Sequence, residues 1–229
     1  MNVCIIPARG GSKRIPKKNS RLFCGKPIIA WSIENAINSN LFSKIIVSTD
    51  DDEIAEISKN YGAEIPYLRP EVLSGDHVPT HPVIINIINS LLEKNIKPDN
   101  ICCLYATSPF TQVKDLIKAY KILSKEEGET YVFTATNFPF PIQRALRFDN
   151  KGYSIVKEPS FIKKRSQDLE SFFHDAGQFY FASFQTWLKN DDFFNNGKPI
   201  ILPRWQVEDI DNEEDWIRAE KLFKIIKDF

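Results

Sequence analysis

Thirteen residues near the start, Pro7-Ala8-Arg9-Gly10-Gly11-Ser12-Lys13-Arg14-Ile15-Pro16-Lys17-Lys18-Asn19, gather five cations around two adjacent glycines. Glycines let backbone N–H groups approach a ligand closely and shape an anion-binding concavity. Arg9, Lys13 and Lys18 add fixed positive charge. A triphosphate calls for both features. The spacing is not G-x-x-x-x-G-K-[ST], so this is not a Walker A loop. It is not G-x-G-x-x-G either, which weighs against a dinucleotide-dependent oxidoreductase. The bland alternative is a basic surface loop with a Gly-Gly turn. Between Met1 and Ile33 the chain carries seven cations and no acid.

The opposite charge gathers near the other end, with six acids in the eight residues from Glu208 to Asp215. Asp209 and Asp211 are two apart in a strand-like segment, which puts both side chains on one face. Neighbouring carboxylates repel unless a cation sits between them. Mg²⁺ is commonly held by one or two carboxylates plus substrate phosphates. Asp211 has a second reading. It precedes the last helix, and Glu214 stands three residues on, a capping-box-like pattern. His77 and His81 sit beside Asp76 at i, i+4, but Pro79 interrupts the helix that would join them into a metal site. Thr80 or His81 facing a nucleotide is the better reading. Arg69 and Arg165 are lone arginines in loops.

Elements must bring these groups together. Val3–Pro7 is an apolar run ending at Arg-Gly-Gly, the pattern of a buried strand feeding a loop. Pro27–Ile37 has helical spacing, Lys44–Ser48 is a second apolar run, and Asp51–Tyr61 is a helix with acids in its first turn. A short third strand is expected at Glu64–Tyr67 and a helix from Val83 to about Lys97. Asn100–Tyr105 is strand, Val113–Ser124 helix and Tyr131–Thr136 strand. Alternation of this kind predicts a parallel sheet with helices on both faces. Ligands then bind beyond the carboxyl ends of the strands. Loops after Pro7, Thr49, Tyr105 and Thr136 should line one crevice. The alternation breaks near Asn137. Residues 138–172, with Phe-Pro-Phe-Pro and Lys163-Lys164-Arg165, predict an excursion with a hairpin that exposes Phe138, Phe140, Phe148 and Phe161. Strand character returns at Phe179–Phe184 and Pro199–Leu202, and Asp211–Phe229 closes as an amphipathic helix. Trp31, Trp187, Trp205 and Trp216 suit core or interface better than base stacking.

The chain has 229 residues, 42% hydrophobic and 26% charged, which suits one globular domain. Thirty Lys+Arg balance thirty Asp+Glu, so a general nucleic-acid binder is not expected. No apolar run reaches membrane-spanning length. Cys4, Cys102 and Cys103 lie in strand-like runs and Cys24 stands alone. That usage fits a reducing compartment, and the expected location is the cytoplasm.

The Pro7–Asn19 run resembles the signature of the cytidylyltransferases that activate nonulosonic, sialic-acid-like sugars. Ser48-Thr49-Asp50-Asp51, Arg69-Pro70 with Leu73-Ser74-Gly75-Asp76, Ala106-Thr107-Ser108-Pro109-Phe110 and Asp209-Ile210-Asp211 resemble later blocks of that family in the same order. The sialic acid members differ at informative places. They have Gln where Tyr105 stands, Gly where Arg14 stands, and an Asn-Gly-Ala block where this chain has His174-Asp175-Ala176-Gly177-Gln178-Phe179-Tyr180. In these it is similar to the pseudaminic acid branch.

The resemblance implies a Rossmann-like, mostly parallel sheet flanked by helices, one nucleotidyltransferase domain over residues 1–229, and an inserted arm at about 138–172 that makes a homodimer. The alternative for the arm is a loop folded onto its own domain. The implied reaction is CTP plus a nonulosonic acid giving a CMP-sugar and pyrophosphate, with Mg²⁺ on Asp209 and Asp211. It implies that Arg9, Lys18, Asp209 and Asp211 carry the chemistry. Ala8, Arg9, Gly10, Gly11, Ser12, Lys13, Lys18, Asn19, Arg69 and Thr80 would hold the nucleotide. Tyr105, Thr107, Ser108, Arg165, His174 and Gln178 would hold the sugar, with Arg165 on its carboxylate. The rivals are a sister enzyme for N-acetylneuraminate, legionaminate or a shorter ulosonic acid, and a non-catalytic nucleotide-binding module.

Overall fold

The computed structural model describes residues 1–227. Six strands form the central sheet: β1 (Asn2–Pro7), β2 (Lys44–Ser48), β3 (Asn100–Leu104), β4 (Val132–Asn137), β5 (Phe173–Ser183) and β6 (Lys198–Ile201). Six α-helices accompany them: α1 (Ile28–Asn38), α2 (Asp52–Asn60), α3 (Thr80–Glu93), α4 (Val113–Leu123), α5 (Phe184–Lys189) and α6 (Glu213–Lys227). The strand order is β6-β4-β5-β3-β1-β2. All neighbours run parallel except at β5, which is antiparallel to both β3 and β4. The expected mostly parallel, helix-flanked sheet is present.

β1 shows why the apolar runs are continuous. Its residues alternate between two faces, and both faces are covered. Cys4 and Ile6 pack with Ile29, Ile33, Leu116 and Ala119 from α1 and α4. Val3 and Ile5 pack with Ile84, Ile87, Ile88 and Trp187 from α3 and α5. A third cluster holds the site together. Ile15, Phe23 and Phe110 pack with Ile210, Trp216, Ala219 and Phe223. It clamps the segment after β1 to α6, almost two hundred residues away.

Several expectations need correction. Glu64–Tyr67 is not a strand. Glu64 alone bridges Ile46 at the sheet edge, and Pro66 lacks the N–H that a ladder needs. The third helix begins at Thr80 and stops at Glu93, because Asn95 turns left-handed at φ 58°. β5 begins at Phe173, six residues before the expected start. Its first half is polar, contains Gly177 at φ 60°, and breaks register against β4 between Phe133 and Ala135. No strand pattern shows through such a stretch. The last helix runs Glu213–Lys227, and the final two residues of the expected span lie outside the described residues.

Residues 138–172 leave the sheet and carry a small hairpin, Leu146–Phe148 against Ser154–Val156. Phe140 and Phe148 are exposed. Phe138 is not, because its ring lies 4.9 Å from that of His174. Phe161 is half-buried beneath Lys164. Among the described residues, no helix is long and apolar enough to cross a membrane. None of the four cysteines is joined in a disulfide.

Candidate active site

The chain leaves β1 toward β2 on one side, then crosses to β3 on the other. Loops at the carboxyl ends of β1 and β3 therefore diverge, which opens a crevice at the switch point of the sheet. A cleft of about 500 Å³ lies there. Of the expected residues, Arg9, Ser12, Lys13, Lys18, Asn19, Arg69, Thr80, Tyr105, Thr107 and Asp211 all line it.

Internal ion pairs order the cations. Arg9 and Lys13 both engage the Asp76 carboxylate, and these two cations hold the Asp76 carboxyl below its ordinary range. Arg14 donates two hydrogen bonds to Asp211, at 2.8 and 2.9 Å. Lys18 Nζ lies 3.8 Å from the same carboxylate. Burial lowers the Lys18 pKa, and the Asp211 and Asp209 charges oppose that shift. Asn19 pins the loop by donating to the Arg9 carbonyl at 2.8 Å. Sequence reasoning noted Arg14 and Asp76 without assigning them to the site. Their signal was present, as a cation and an acid inside the two motifs.

The glycines play a different part from the expected one. Gly10 donates its N–H to Asp50 Oδ1 at 2.9 Å, and Ser12 donates to the Gly10 carbonyl at 2.9 Å. Those two N–H groups are already used, so side chains supply the cleft's charge. Gly10 is required sterically. A Cβ there would stand 2.6 Å from Asp51 Oδ2. Asp51 caps α2 by accepting from Ile54 N at 2.9 Å. Gly10→Ala is expected to cost about 1–2 kcal/mol through loss of that cap and local overpacking, read as a lower urea midpoint. Unchanged stability would show that the Asp51 carboxylate moves aside freely.

Arg69 is buried, and its Nε and Nη2 have no hydrogen-bond partner. Its nearest acid is Asp50, 3.6 Å away. Buried donors without a hydrogen bond are costly, and this guanidinium, paired only with Asp50, borders the cleft.

Asp209 and Asp211 lie in an irregular segment before α6, not in a strand. Asp211 faces the cleft; Asp209 does not line it. Burial raises the Asp209 pKa, and the Asp211 charge adds to it. The capping question has a clear answer. Asn212 Oδ1 accepts from Asp215 N at 3.0 Å, and Asp215 Oδ2 accepts from Asn212 N at 3.2 Å. The reciprocal box is Asn212/Asp215, so neither Asp211 nor Glu214 caps the helix. Among the described residues, no three or more His, Cys, Asp or Glu side chains are grouped to hold a metal. Two hard oxygen donors fit a cation that completes its shell with phosphate oxygens and water, as Mg²⁺ does.

Other expected residues go elsewhere. Ala8 is buried beneath the loop, and Gly11 does not line the cleft. Ser108 is buried and donates to the Gly177 carbonyl at 3.3 Å. Gln178 is buried and donates to the Gln206 carbonyl at 2.7 Å, a packing role. Arg165 stays on the arm, paired with Asp168 at 2.8 Å, and does not line the cleft. His174 lines a separate cavity with Arg204 and Trp205. His81 contacts the Trp187 carbonyl at 2.8 Å instead of facing the cleft. The His77/His81 metal reading is not realised.

The cytidylyltransferase family model matches residues 3–211. The chain is similar to a pseudaminic acid cytidylyltransferase of Campylobacter jejuni, 43% identical over 98% of this chain and 97% of that protein. It is 32% identical to the CMP-N,N'-diacetyllegionaminic acid synthase of Legionella pneumophila, over 97% and 96%. A solved CMP:2-keto-3-deoxy-manno-octonic acid synthetase complexed with CTP superposes with a TM-score of 0.71, covering 97% of this chain and 98% of that one. At 15% identity that likeness concerns the fold alone.

Proposed function

The chain belongs to the cytidylyltransferase family, and from that premise we propose that it joins the CMP group of CTP to pseudaminic acid and releases pyrophosphate. The observation that carries this reading is the convergence of Arg9, Lys13, Arg14, Lys18 and Arg69 with Asp211 on one cleft at the switch point. Such a cleft suits a polyphosphate. The sugar assignment rests on similarity at 43% identity to a protein that acts on pseudaminic acid. Tyr105, where the sialic acid pattern has Gln, supports it.

In this mechanism the anomeric hydroxyl attacks the α-phosphorus as the bond to the bridging oxygen of pyrophosphate breaks. Little covalent work falls to the protein, so positioning and charge stabilisation dominate. Arg9, Lys13 and Lys18 hold the β- and γ-phosphates, and Asp76 gives up its two cations to them. Arg69, which lines the cleft, directs its positive charge toward the nucleotide. Asp209 and Asp211 would hold Mg²⁺, which when bound polarises phosphate oxygens and offsets developing charge. The reading extends to a homodimer through the arm, for which the exposed Phe140 and Phe148 are the support. It places the protein in the cytoplasm, consistent with cysteines that form no disulfide.

The test is pyrophosphate release with four nucleoside triphosphates against a panel of nonulosonic acids. CTP with pseudaminate should give the highest kcat/KM. Equal use of UTP would sink the nucleotide assignment. A preference for N-acetylneuraminate would overturn the sugar and leave the transfer standing.

A further inference from the structure

The segment that carries Asp209 and Asp211 has neither helix nor strand to hold it, from residue 207 to 212. Side chains anchor it instead. Gln206 is buried and donates through Nε2 to Asp115 Oδ2, in the first turn of α4. The Gln206 carbonyl accepts from Gln178 Nε2 on β5 at 2.7 Å. Gln178 Oε1 in turn accepts from the Thr111 hydroxyl at 3.4 Å. The Gln178 carbonyl accepts from Tyr105 N at 2.9 Å. Further along, Glu208 accepts from Arg218 Nε on α6 at 2.7 Å. Ile210 sits in the apolar cluster with Phe110 and Trp216.

Burial of polar groups is costly unless they are hydrogen-bonded. An apolar anchor alone would leave the segment free to rotate, because apolar burial is non-directional. Hydrogen bonds have direction, and here each direction is fixed. A carboxylate only accepts, so the Gln206 amide must turn its NH₂ toward Asp115. A carbonyl also only accepts, so Gln178 turns Nε2 to Gln206 and leaves Oε1 for Thr111. Asp115 is itself buried, and the N-terminus of α4 favours its charge. The network therefore sets both the place and the tilt of residue 206, and Asp209 and Asp211 follow three and five residues on. Asp115, Gln178 and Gln206 do not line the cleft, so any effect they have on a ligand passes through that segment.

We propose that Asp115, Gln178 and Gln206 are positioning residues that hold the acidic segment at the cleft and so place the Asp209 and Asp211 carboxylates for a divalent cation. The cation role of those carboxylates is the reading proposed above, and the inference rests on it. The Thr107-Ser108-Pro109 block gains a part by this route. Ser108 donates to the Gly177 carbonyl at 3.3 Å and Thr111 to Gln178, so the loop after β3 braces the network from within. Arg9 and Lys13 stand on the loop after β1, which has its own anchors in Asn19 and Asp50. Loosening the network should therefore spare the phosphate side of the cleft.

The test compares Asp115→Leu, Gln178→Met and Asp115→Asn with wild type. Calorimetry reads the CTP dissociation constant in EDTA and in Mg²⁺, and the ratio of the two is the tightening due to the metal. Hydrogen exchange reads the amides of residues 207–211. Removing a partner that orients metal ligands typically costs about 10- to 100-fold in metal affinity. Asp115→Leu and Gln178→Met should each cut the ratio about tenfold, or to one where the wild-type ratio is smaller, with the EDTA constant within about twofold of wild type. Exchange at 207–211 should quicken about tenfold, the scale of one lost hydrogen bond. Asp115→Asn keeps an acceptor for Gln206 and should restore the ratio. A merely structural role would lower urea stability and weaken CTP equally in both buffers. A ratio within about twofold of wild type in both Asp115→Leu and Gln178→Met therefore overturns the inference. Should one of those two fail to fold by circular dichroism, the other, at the opposite end of the network, carries the test. A wild-type protein whose CTP affinity ignores Mg²⁺ would remove the metal from the proposed function. Exchange then decides alone: unchanged rates at 207–211 overturn the inference, and faster rates confined there keep the three residues as positioners of the segment.

Discussion

Asp211→Asn is expected to lower kcat/KM by about 100-fold, the usual scale for removing one group that stabilises transition-state charge. The substitution keeps shape and removes a negative charge. Its interpretation depends on what Asp211 does not do. The α6 cap belongs to Asn212 and Asp215, so stability should stay within about 0.5 kcal/mol. The pair with Arg14 is a surface one, with the Arg14 side chain 69% exposed, and such pairs contribute little. Loss of turnover without loss of stability, together with a higher Mg²⁺ requirement, is the expected pattern. Full activity at low Mg²⁺ would remove Asp211 from the reaction and leave it as a partner for Arg14 and Lys18.

Arg69→Met should separate binding from stability in the opposite sense to an ordinary core substitution. The side chain is buried, its Nε and Nη2 are unpartnered, and burial lowers its pKa despite Asp50. An unsatisfied buried donor costs about 1–3 kcal/mol; against that gain stands the loss of the Asp50 pair, which is small because the Asp50 side chain is 26% exposed and still accepts from Gly10 N. Urea stability should hold or rise. A charge-assisted hydrogen bond to the nucleotide is worth about 1.5–3 kcal/mol, so the calorimetric Kd for CTP should rise by about 10- to 100-fold. A protein that loses stability but binds CTP normally would make Arg69 a structural partner of Asp50.

Chemistry was legible where it is local. The Pro7–Asn19 run has its cations and glycines within thirteen residues, and a loop after a buried strand has nowhere to go but the sheet's carboxyl edge. Five of the six strands were legible for the same reason, since each is a short apolar run between turn signals. The polar start of β5 was not. Gly177 and the register break hide its period, and its antiparallel direction depends on an arm that leaves the sheet and returns. Gln178 and Ser108 looked like sugar contacts from their place in motifs. Their side chains instead satisfy buried carbonyls of Gln206 and Gly177.

From its own order of residues, this chain determines a helix-flanked sheet, a basic loop after its first strand and an acidic stretch before its last helix. Hydrophobic period and turn chemistry are short-range properties, and they suffice for that much. The tertiary structure decides which opposite charges meet. The apolar cluster of Ile15, Phe23, Ile210, Trp216 and Phe223 brings Arg14 and Lys18 to Asp211 across nearly two hundred residues. It also decides that Asn212 caps the helix, that Gly10 serves space more than anion binding, and that Tyr180 reaches Asp175 across a bulge. Each is a contact between side chains distant in sequence or thrown together by an irregular backbone. Pairing of that kind follows from packing, because a charge or hydroxyl acquires its partner only when the core fixes where both must lie.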